Sequence, residues 1–444
     1  MKTSLSNQIR QFAFWAKDAI KGGEIKSNLQ DIEESFALES FQALEKKNDK
    51  YLHGLLKKAT SKTKFYAHLK GQESLHNFPV VDKNVIRANF DDLQMDTSSH
   101  TVFTSGSTGT PFMVHQTQKK KSRNTADTLY FAGRAGYVLG DKLLYLRLWS
   151  KKLKKKRFLA TLQNIVQLDI ENLEEQQIKD LLKRLQKDNS KKGWLGYPSG
   201  LEKICDYLDS TNSGPLDCNI GSIIGISENL SRHVKSKMGH YFGVPMVSRY
   251  SNTENGILAQ QPMGSDHFTI NWASYIVEIL DFNEDSPVKN GELGRIVITD
   301  LFNEATPMIR YDTGDVGSMS IKPEHPFPVL NTVEGRQSDI LFDTKGALVS
   351  PFKIMSIVLD FPEVRQLQVI QTDISKYTVK VNNDGKFHRE TELSSILRSY
   401  VGTDAHITVD YVDEIPSLSS KKQKISRNLL VEKNRPSKEK MMTV

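Results

Sequence analysis

A chain of 444 residues, 38% hydrophobic and 25% charged, exceeds one ordinary core and calls for two or three packed units, which excludes a disordered chain. No apolar stretch approaches the roughly 18–20 residues that cross a bilayer, so no transmembrane segment is expected. The net charge of +7 gathers at 119–121, in Lys-Lys-Leu-Lys-Lys-Lys-Arg at 151–157, and along 421–440. Such runs read as solvated faces or loops, with attraction for polyanions or an anionic membrane surface as the functional alternative. Nucleic acid is not expected, because no recognised binding motif accompanies the charge.

The elements follow in chain order. Phe12-Ala13-Phe14-Trp15-Ala16 is shorter than the roughly 7–15-residue core of a secretion signal, so a cytoplasmic location is expected. The first hundred residues read mainly as helix, with Leu52, Leu55, Leu56 and Ala59 at helical spacing until Phe78-Pro79-Val80-Val81 breaks the pattern. Apolar runs then alternate with helical segments: a run at 143–148, an amphipathic helix through Ile178, Leu181, Leu182 and Leu185, and buried strands at 220–226 and 244–247. Cys205 and Cys218 lack zinc-site spacing and read as buried, inert thiols. After about residue 266 strands and turns dominate, with strands at 275–280 and 296–298 and a turn at Lys289-Asn290-Gly291. Beyond Arg336 a smaller pattern begins: a strand at 377–381, a helix at about 391–400 and a strand at 407–412. The predicted fold class is α/β, a large N-terminal domain over 1–335 followed by a small α+β domain over 336–444.

The densest functional signal is Thr104-Ser105-Gly106-Ser107-Thr108-Gly109-Thr110-Pro111. Small, hydroxyl-rich residues and glycines let a backbone curl so that N–H groups and hydroxyls point inward, which suits a polyphosphate. It is no Walker A loop, because no Gly-Lys-Ser/Thr closes it, and no nucleophile elbow, because Ser105 replaces the first glycine.

This loop resembles the phosphate loop of the adenylate-forming superfamily of acyl-CoA synthetases, peptide-synthetase adenylation domains and luciferases. Further segments resemble that superfamily's motifs in the same order: Arg249-Tyr250-Ser251-Asn252-Thr253-Glu254, Gly291-Glu292-Leu293-Gly294-Arg295, Ile309-Arg310-Tyr311-Asp312-Thr313-Gly314-Asp315, and Gly335-Arg336-Gln337-Ser338-Asp339. Gly196-Tyr197-Pro198-Ser199 and Ile226-Ser227-Glu228 are similar to the phenylacetate–CoA ligase branch, and within it to proteins associated with capsular polysaccharide synthesis.

The resemblance implies an ATP-using enzyme in which a large adenylate-forming domain is closed by a lid, with Mg²⁺ as metal. A carboxylic acid and ATP would give acyl-AMP and pyrophosphate, and coenzyme A, a sugar or a carrier would accept the acyl group. Thr104, Ser105, Gly106, Ser107, Thr108, Gly109 and Thr110 would hold the β- and γ-phosphates. Thr253 would donate to the α-phosphate and Glu254 would hold Mg²⁺. Tyr250 would stack on adenine, with Ser227 and Glu228 lining its pocket. Asp315 would accept from the ribose hydroxyls, and Arg336 would donate to the same sugar. Pro416-Ser417-Leu418-Ser419-Ser420-Lys421-Lys422 keeps the spacing of the superfamily's Pro-x-x-x-x-Gly-Lys, which selects Lys422 as the lysine bridging carboxylate and α-phosphate. Arg147, Trp149, Tyr197 and Arg249 are the acyl-pocket candidates, since an arginine there would pair with an acidic or polar substrate. Ser251 stands where the superfamily has glycine, and Ser338 where it often has the hinge aspartate. Two rival readings are nucleotidyl transfer from ATP to an acceptor and a non-catalytic nucleotide-binding partner of polysaccharide-assembly enzymes.

Overall fold

The computed structural model describes residues 5–95, 100–104, 112–149, 154–322, 324–336, 340–349, 354, 357, 360–361, 363–383, 387–415 and 425–430. Helices α1 (Leu5–Ile20), α2 (Glu24–Phe36) and α3 (Phe41–Lys62) open it. After Pro79 ends the helical pattern, Asp82 starts the short helix α4 (Lys83–Ala88) by accepting from the Asn84 and Val85 amides. Strands β1 (His100–Thr104) and β2 (Phe112–Gln116) pair antiparallel and lead into α5 (Gln118–Arg134), capped by Thr117.

Strand and helix then alternate: β3 (Lys142–Arg147), α6 (Arg157–Leu162), β4 (Ile165–Asp169), α7 (Glu175–Lys187), β5 (Lys192–Gly196), α8 (Pro198–Ser210), β6 (Ile220–Ile226), α9 (Arg232–Phe242) and β7 (Met246–Asn252). Strands follow without intervening helices: β8 (Gly256–Gln260), β9 (Phe268–Ile270), β10 (Tyr275–Leu280), β11 (Leu293–Asp300), β12 (Tyr311–Ser320) and β13 (Val329–Arg336). The strand expected at 244–247 begins at Met246 instead, because Gly243, at φ 70, ends α9 with a left-handed turn that only later releases the chain into the sheet.

Eleven strands form one sheet in the order β10-β11-β12-β13-β9-β8-β7-β6-β5-β3-β4. The run from β4 to β7 is parallel and the remainder antiparallel. Alternation splits β3: Leu144 and Leu146 face a core with α7, α8 and α9, while Tyr145 faces Ala132 and Ala135 at the end of α5. Cys205 and Cys218 are buried free thiols in the first of these cores, as their sequence context predicts. The antiparallel half packs Tyr275, Val277, Ile296, Ile298 and Tyr311 against Leu55, Leu56 and Ala59 of α3.

The remaining described strands include β14 (Leu341–Phe342) and β15 (Leu348–Val349), which pair with each other. A four-stranded sheet follows in the order β18-β17-β16-β19, from β16 (Gln366–Asp373), β17 (Lys376–Asn382), β18 (His406–Tyr411) and β19 (Ser426–Asn428). Helix α10 (Glu390–Val401) buries Leu393, Leu397 and Val401 in its core. Among the described residues no helix is long and apolar enough to cross a membrane.

One expectation is overturned. The run 119–121 reads as a solvated basic face, yet Lys120 is fully buried, 2.6 Å from Asp300 and donating to the Tyr275 hydroxyl at 3.0 Å. One turn on, buried Arg123 pairs with Asp31 of α2 at 2.7 Å and donates to Ser274 and the Ala273 carbonyl. The inner face of α5 thus meets the sheet through paired charges, and burial is tolerable because each cation has an anionic or hydroxyl partner.

Candidate active site

Of the expected site residues, Arg147, Trp149, Tyr197, Ser227, Arg249 and Tyr250 lie at or just beyond the carboxyl ends of the parallel strands, where open α/β sheets form their ligand crevices. Strand β7 ends in Arg249-Tyr250-Ser251-Asn252, and a tight turn carries Thr253 and Glu254 before β8 returns. The Tyr250 hydroxyl donates to Asp315 Oδ2 at 2.8 Å and lies 3.4 Å from Thr313 Oγ1. These partners arrive on β12, where Gly314 adopts φ 73 and its amide donates to Asp312 Oδ1 at 2.8 Å. That left-handed turn explains glycine between Thr313 and Asp315. The Asp315 amide in turn donates to Thr313 Oγ1 at 3.1 Å. Across the ladder Asp315 lies directly opposite Arg336 on β13, so the backbone register joins two residues that the sequence keeps apart.

Glu254 is buried, with 2% of its surface exposed, whereas Thr253 beside it is exposed. The Tyr311 hydroxyl donates to Glu254 Oε1 at 2.9 Å, and Lys83 Nζ of α4 lies 3.0 Å from the same oxygen. Gln116 of β2 holds the Glu254 carbonyl at 2.7 Å. Arg310, whose positive φ of 45 is uncommon for a residue other than glycine, grips both Glu278 carboxylate oxygens at 3.0 and 3.1 Å and the Phe78 carbonyl at 3.1 Å. Its role is to fix the chain that presents Tyr311.

Ser227 follows β6 at φ 66, a conformation that favours glycine, and its side chain is exposed. Glu228 Oε2 accepts the Ser199 amide at 2.9 Å, a carboxylate at the positive end of α8, whose first residue is Pro198. Tyr197 is half-buried just before that helix.

The four acyl-pocket candidates also converge. Arg147 donates to the Tyr145 hydroxyl at 3.2 Å and lies over the Tyr145 and Trp149 rings at 5.6 and 5.5 Å. Trp149 Nε1 donates to the Leu168 carbonyl at 2.9 Å. Desolvation, opposed by Arg147, raises the Tyr197 pKa. Arg249 is 8% exposed and donates from Nε to Gln260 Oε1 at 2.8 Å.

Residues 105–110 of the phosphate loop and Lys422 lie outside the described residues, while Thr104 ends β1. Five contributors escaped the sequence reading. Tyr311 and Thr313 stood inside a quoted motif, and Tyr145 precedes Arg147 by one strand period. Gln260, polar in an apolar strand, gave a faint signal. Lys83 gave none beyond the Asp82 cap.

Residues 341–428 match the family model of the CapK C-terminal domain. Over 414 residues the chain is 24% identical to protein CapK of Staphylococcus aureus, covering 88% of this chain and 87% of that protein. It is 24% identical over 176 residues to a phenylacetate–coenzyme A ligase of Pseudomonas putida, covering 39% of this chain and 40% of the ligase. The match to the Thermus thermophilus ligase of the same name is 21% over 248 residues, 52% of each chain. The chain thus spans about half the length of these ligases or less. Among solved structures, 2-hydroxyisobutyryl-CoA ligase in complex with 2-HIB-AMP superimposes with a TM-score of 0.66 at 15% identity, over 88% of this chain and 90% of that one.

The chain has the fold of the adenylate-forming ligases.

ATP-bound MatB of Rhodopseudomonas palustris also shares this adenylate-forming fold, with a TM-score of 0.52 at 16% identity over 75% of this chain and 67% of that one. By sequence the chain is a homologue of CapK and of the phenylacetate–CoA ligases. The family model covers α10 and the four-stranded sheet, whereas Tyr250, Glu254 and Asp315 belong to the eleven-stranded one.

Proposed function

We propose that this chain activates a carboxylic acid with ATP, forming an acyl-adenylate and pyrophosphate, and then passes the acyl group to coenzyme A or another acceptor. The observation that carries this reading is the hydrogen-bonded set Tyr250, Thr313 and Asp315, with Asp315 opposite Arg336 and with Glu254 one turn beyond Tyr250. Adenylation brings a carboxylate against an anionic α-phosphate, so it needs positioning and cationic stabilisation more than a protein nucleophile. Asp315 is an acceptor-only group suited to ribose hydroxyls, Arg336 donates to the same sugar, and the Tyr250 ring offers a face to adenine. Ser227 and Glu228 border that pocket. Thr104 to Thr110 take the β- and γ-phosphates, and Thr253 donates to the α-phosphate.

Glu254 fits Mg²⁺ as a hard oxygen ligand. A single carboxylate suffices, because Mg²⁺ keeps several waters and takes its other oxygens from substrate phosphates. Bound Mg²⁺ would neutralise phosphate charge. The protein's own contribution is to hold the Glu254 carboxylate through Tyr311 and Lys83.

In this reading residues 1–335 form the adenylation domain and 336–444 the lid, which brings Lys422 to the carboxylate and α-phosphate. The named ligase relatives support coenzyme A as acceptor, and the CapK relative supports a place in surface polysaccharide synthesis beside other enzymes of that process. A cytoplasmic location fits the supply of ATP. The test is ATP–pyrophosphate exchange over aryl, amino and sugar acids. Exchange driven by at least one acid is expected, and none with any acid would refute the activity.

A further inference from the structure

The parallel half of the sheet carries a second polar constellation that nucleotide binding leaves unused. In-register pairing sets Tyr145, Leu195, Ile224 and Val247 in one row across β3, β5, β6 and β7. Side chains alternate along a strand, so Arg147, Tyr197, Ile226 and Arg249, each two residues on, form the next row on the same face. This row lies at the carboxyl ends of the strands. The face is closed by Ala132 and Ala135 at the end of α5. Tyr250, bonded to Asp315, follows Arg249 directly and therefore points to the opposite face. Arg249 is not a clamp on the ribose or adenine side.

The guanidinium of Arg249 is nevertheless held for something. Gln260 takes its Nε at 2.8 Å and is itself fixed by donating to the Phe131 carbonyl at 2.7 Å. Nη2 is buried and has no hydrogen-bond partner among the described residues. Desolvation lowers the Arg249 pKa to about 10, which leaves the group cationic at neutral pH. A buried cation with an orphan donor, and no carboxylate paired with it among the described residues, is destabilising in the free protein. A ligand carboxylate would relieve both defects, since a guanidinium edge matches it with paired hydrogen bonds. Tyr145, Trp149 and Tyr197 supply aromatic walls, and Arg147 adds positive charge at the rim.

We infer that this row is the far end of the acyl pocket and that the acid it takes is a dicarboxylate, whose remote carboxylate pairs with Arg249. Naming the row an acyl pocket rests on the acid-activating reading above. An apolar monocarboxylic acid would leave Nη2 unsatisfied and still desolvated, which disfavours it.

The test measures binding separately from turnover. Calorimetric titration of the full chain, with a non-hydrolysable ATP analogue present, compares succinate and glutarate with butyrate and phenylacetate. The dicarboxylates should bind at least about 100-fold more tightly, the scale of a charge-assisted paired contact. Arg249→Met should reduce that preference to about threefold or less, without lowering the melting temperature, because it removes an unpaired buried charge. A purely structural arginine would instead cost stability. Should Arg249→Met not fold, Arg249→Lys decides, since it keeps the charge but loses the paired geometry and should retain only part of the preference. Equal binding of butyrate or phenylacetate, or a preference that survives substitution, would overturn the inference. Pyrophosphate exchange driven best by monocarboxylates would overturn it too, while sustaining acid activation. Arg249-dependent dicarboxylate binding with no exchange for any acid would sustain the anion pocket and refute adenylation.

Discussion

Lys83 and Glu254 offer the sharpest test of the proposed metal-binding role of Glu254. Their atoms are 3.0 Å apart, with the carboxylate 2% and the lysine 25% exposed. At an effective dielectric of about 20, that separation corresponds to roughly 5 kcal/mol of attraction before desolvation. The lysine's partial exposure and the cost of stripping water from both ions reduce the net value to about 2 kcal/mol. Lys83→Met leaves Glu254 with the Tyr311 hydroxyl on the oxygen that lost the lysine. The variant should therefore lose about 2 kcal/mol of stability, seen as a lower thermal midpoint. In the proposed function the same carboxylate would hold Mg²⁺, so removing the competing cation should strengthen metal binding. With an ATP analogue bound, calorimetry should show Mg²⁺ affinity raised by up to about tenfold, since 1.4 kcal/mol is a factor of ten. Glu254→Gln should abolish that gain. If Lys83→Met instead weakened Mg²⁺ and nucleotide binding together, Lys83 would be a phosphate contact, and the competition argument would be wrong.

The remaining predictions are independent of that pair. Asp315→Ala should weaken ATP-analogue binding by about tenfold with little change in thermal midpoint, because hydrogen bonds to a charged acceptor contribute about 1.5–3 kcal/mol; unchanged affinity in calorimetry would remove Asp315 from the site. Tyr250→Phe keeps the ring but loses the donor to Asp315, so its effect on the same titration should be smaller than that of Asp315→Ala. Arg310→Met should destabilise the protein by about 3 kcal/mol, because Glu278, whose side chain is only 11% exposed, loses the cation that holds both its oxygens; a thermal midpoint equal to the parent's would contradict the support assigned to this arginine. Lys422→Ala should cut acyl-adenylate formation by at least about 100-fold in a single-turnover assay, the scale of losing one strong electrostatic stabiliser. Lys421→Ala and Lys424→Ala should each cost under about tenfold, as screened surface charges do, and equal losses in all three would remove Lys422 from the chemistry.

Strand and helix identities were legible wherever spacing alone decides them. The strands at Ile220–Ile226 and Tyr275–Leu280 and the helix through Ile178, Leu181, Leu182 and Leu185 stand as their apolar periods require. The ordered motifs were equally legible, because each is a local turn or strand end: Gly314 must sit where φ is positive, and Tyr250 must follow Arg249 on the other face. The acyl-pocket candidates could be named, but not that they share one row, which depends on the order of β3, β5, β6 and β7.

Charge is where local reading stopped. Lys120 sits in a basic triplet that looks solvated, yet the docking of α5 on the sheet buries it against Asp300. Lys83 carries no signal, and its pairing with Glu254 exists only because α4 is brought against the turn after β7. Composition, periodicity and motif order follow from neighbours along the chain, so the sequence by itself determined the element types, the α/β class and the residues gathered at the strand ends. Which cation meets which carboxylate, and which arginine is left buried without one, depends on contacts between residues far apart in sequence. Only the packed tertiary structure decided those, because a side chain's desolvation and its counter-ion are both set by elements it does not belong to.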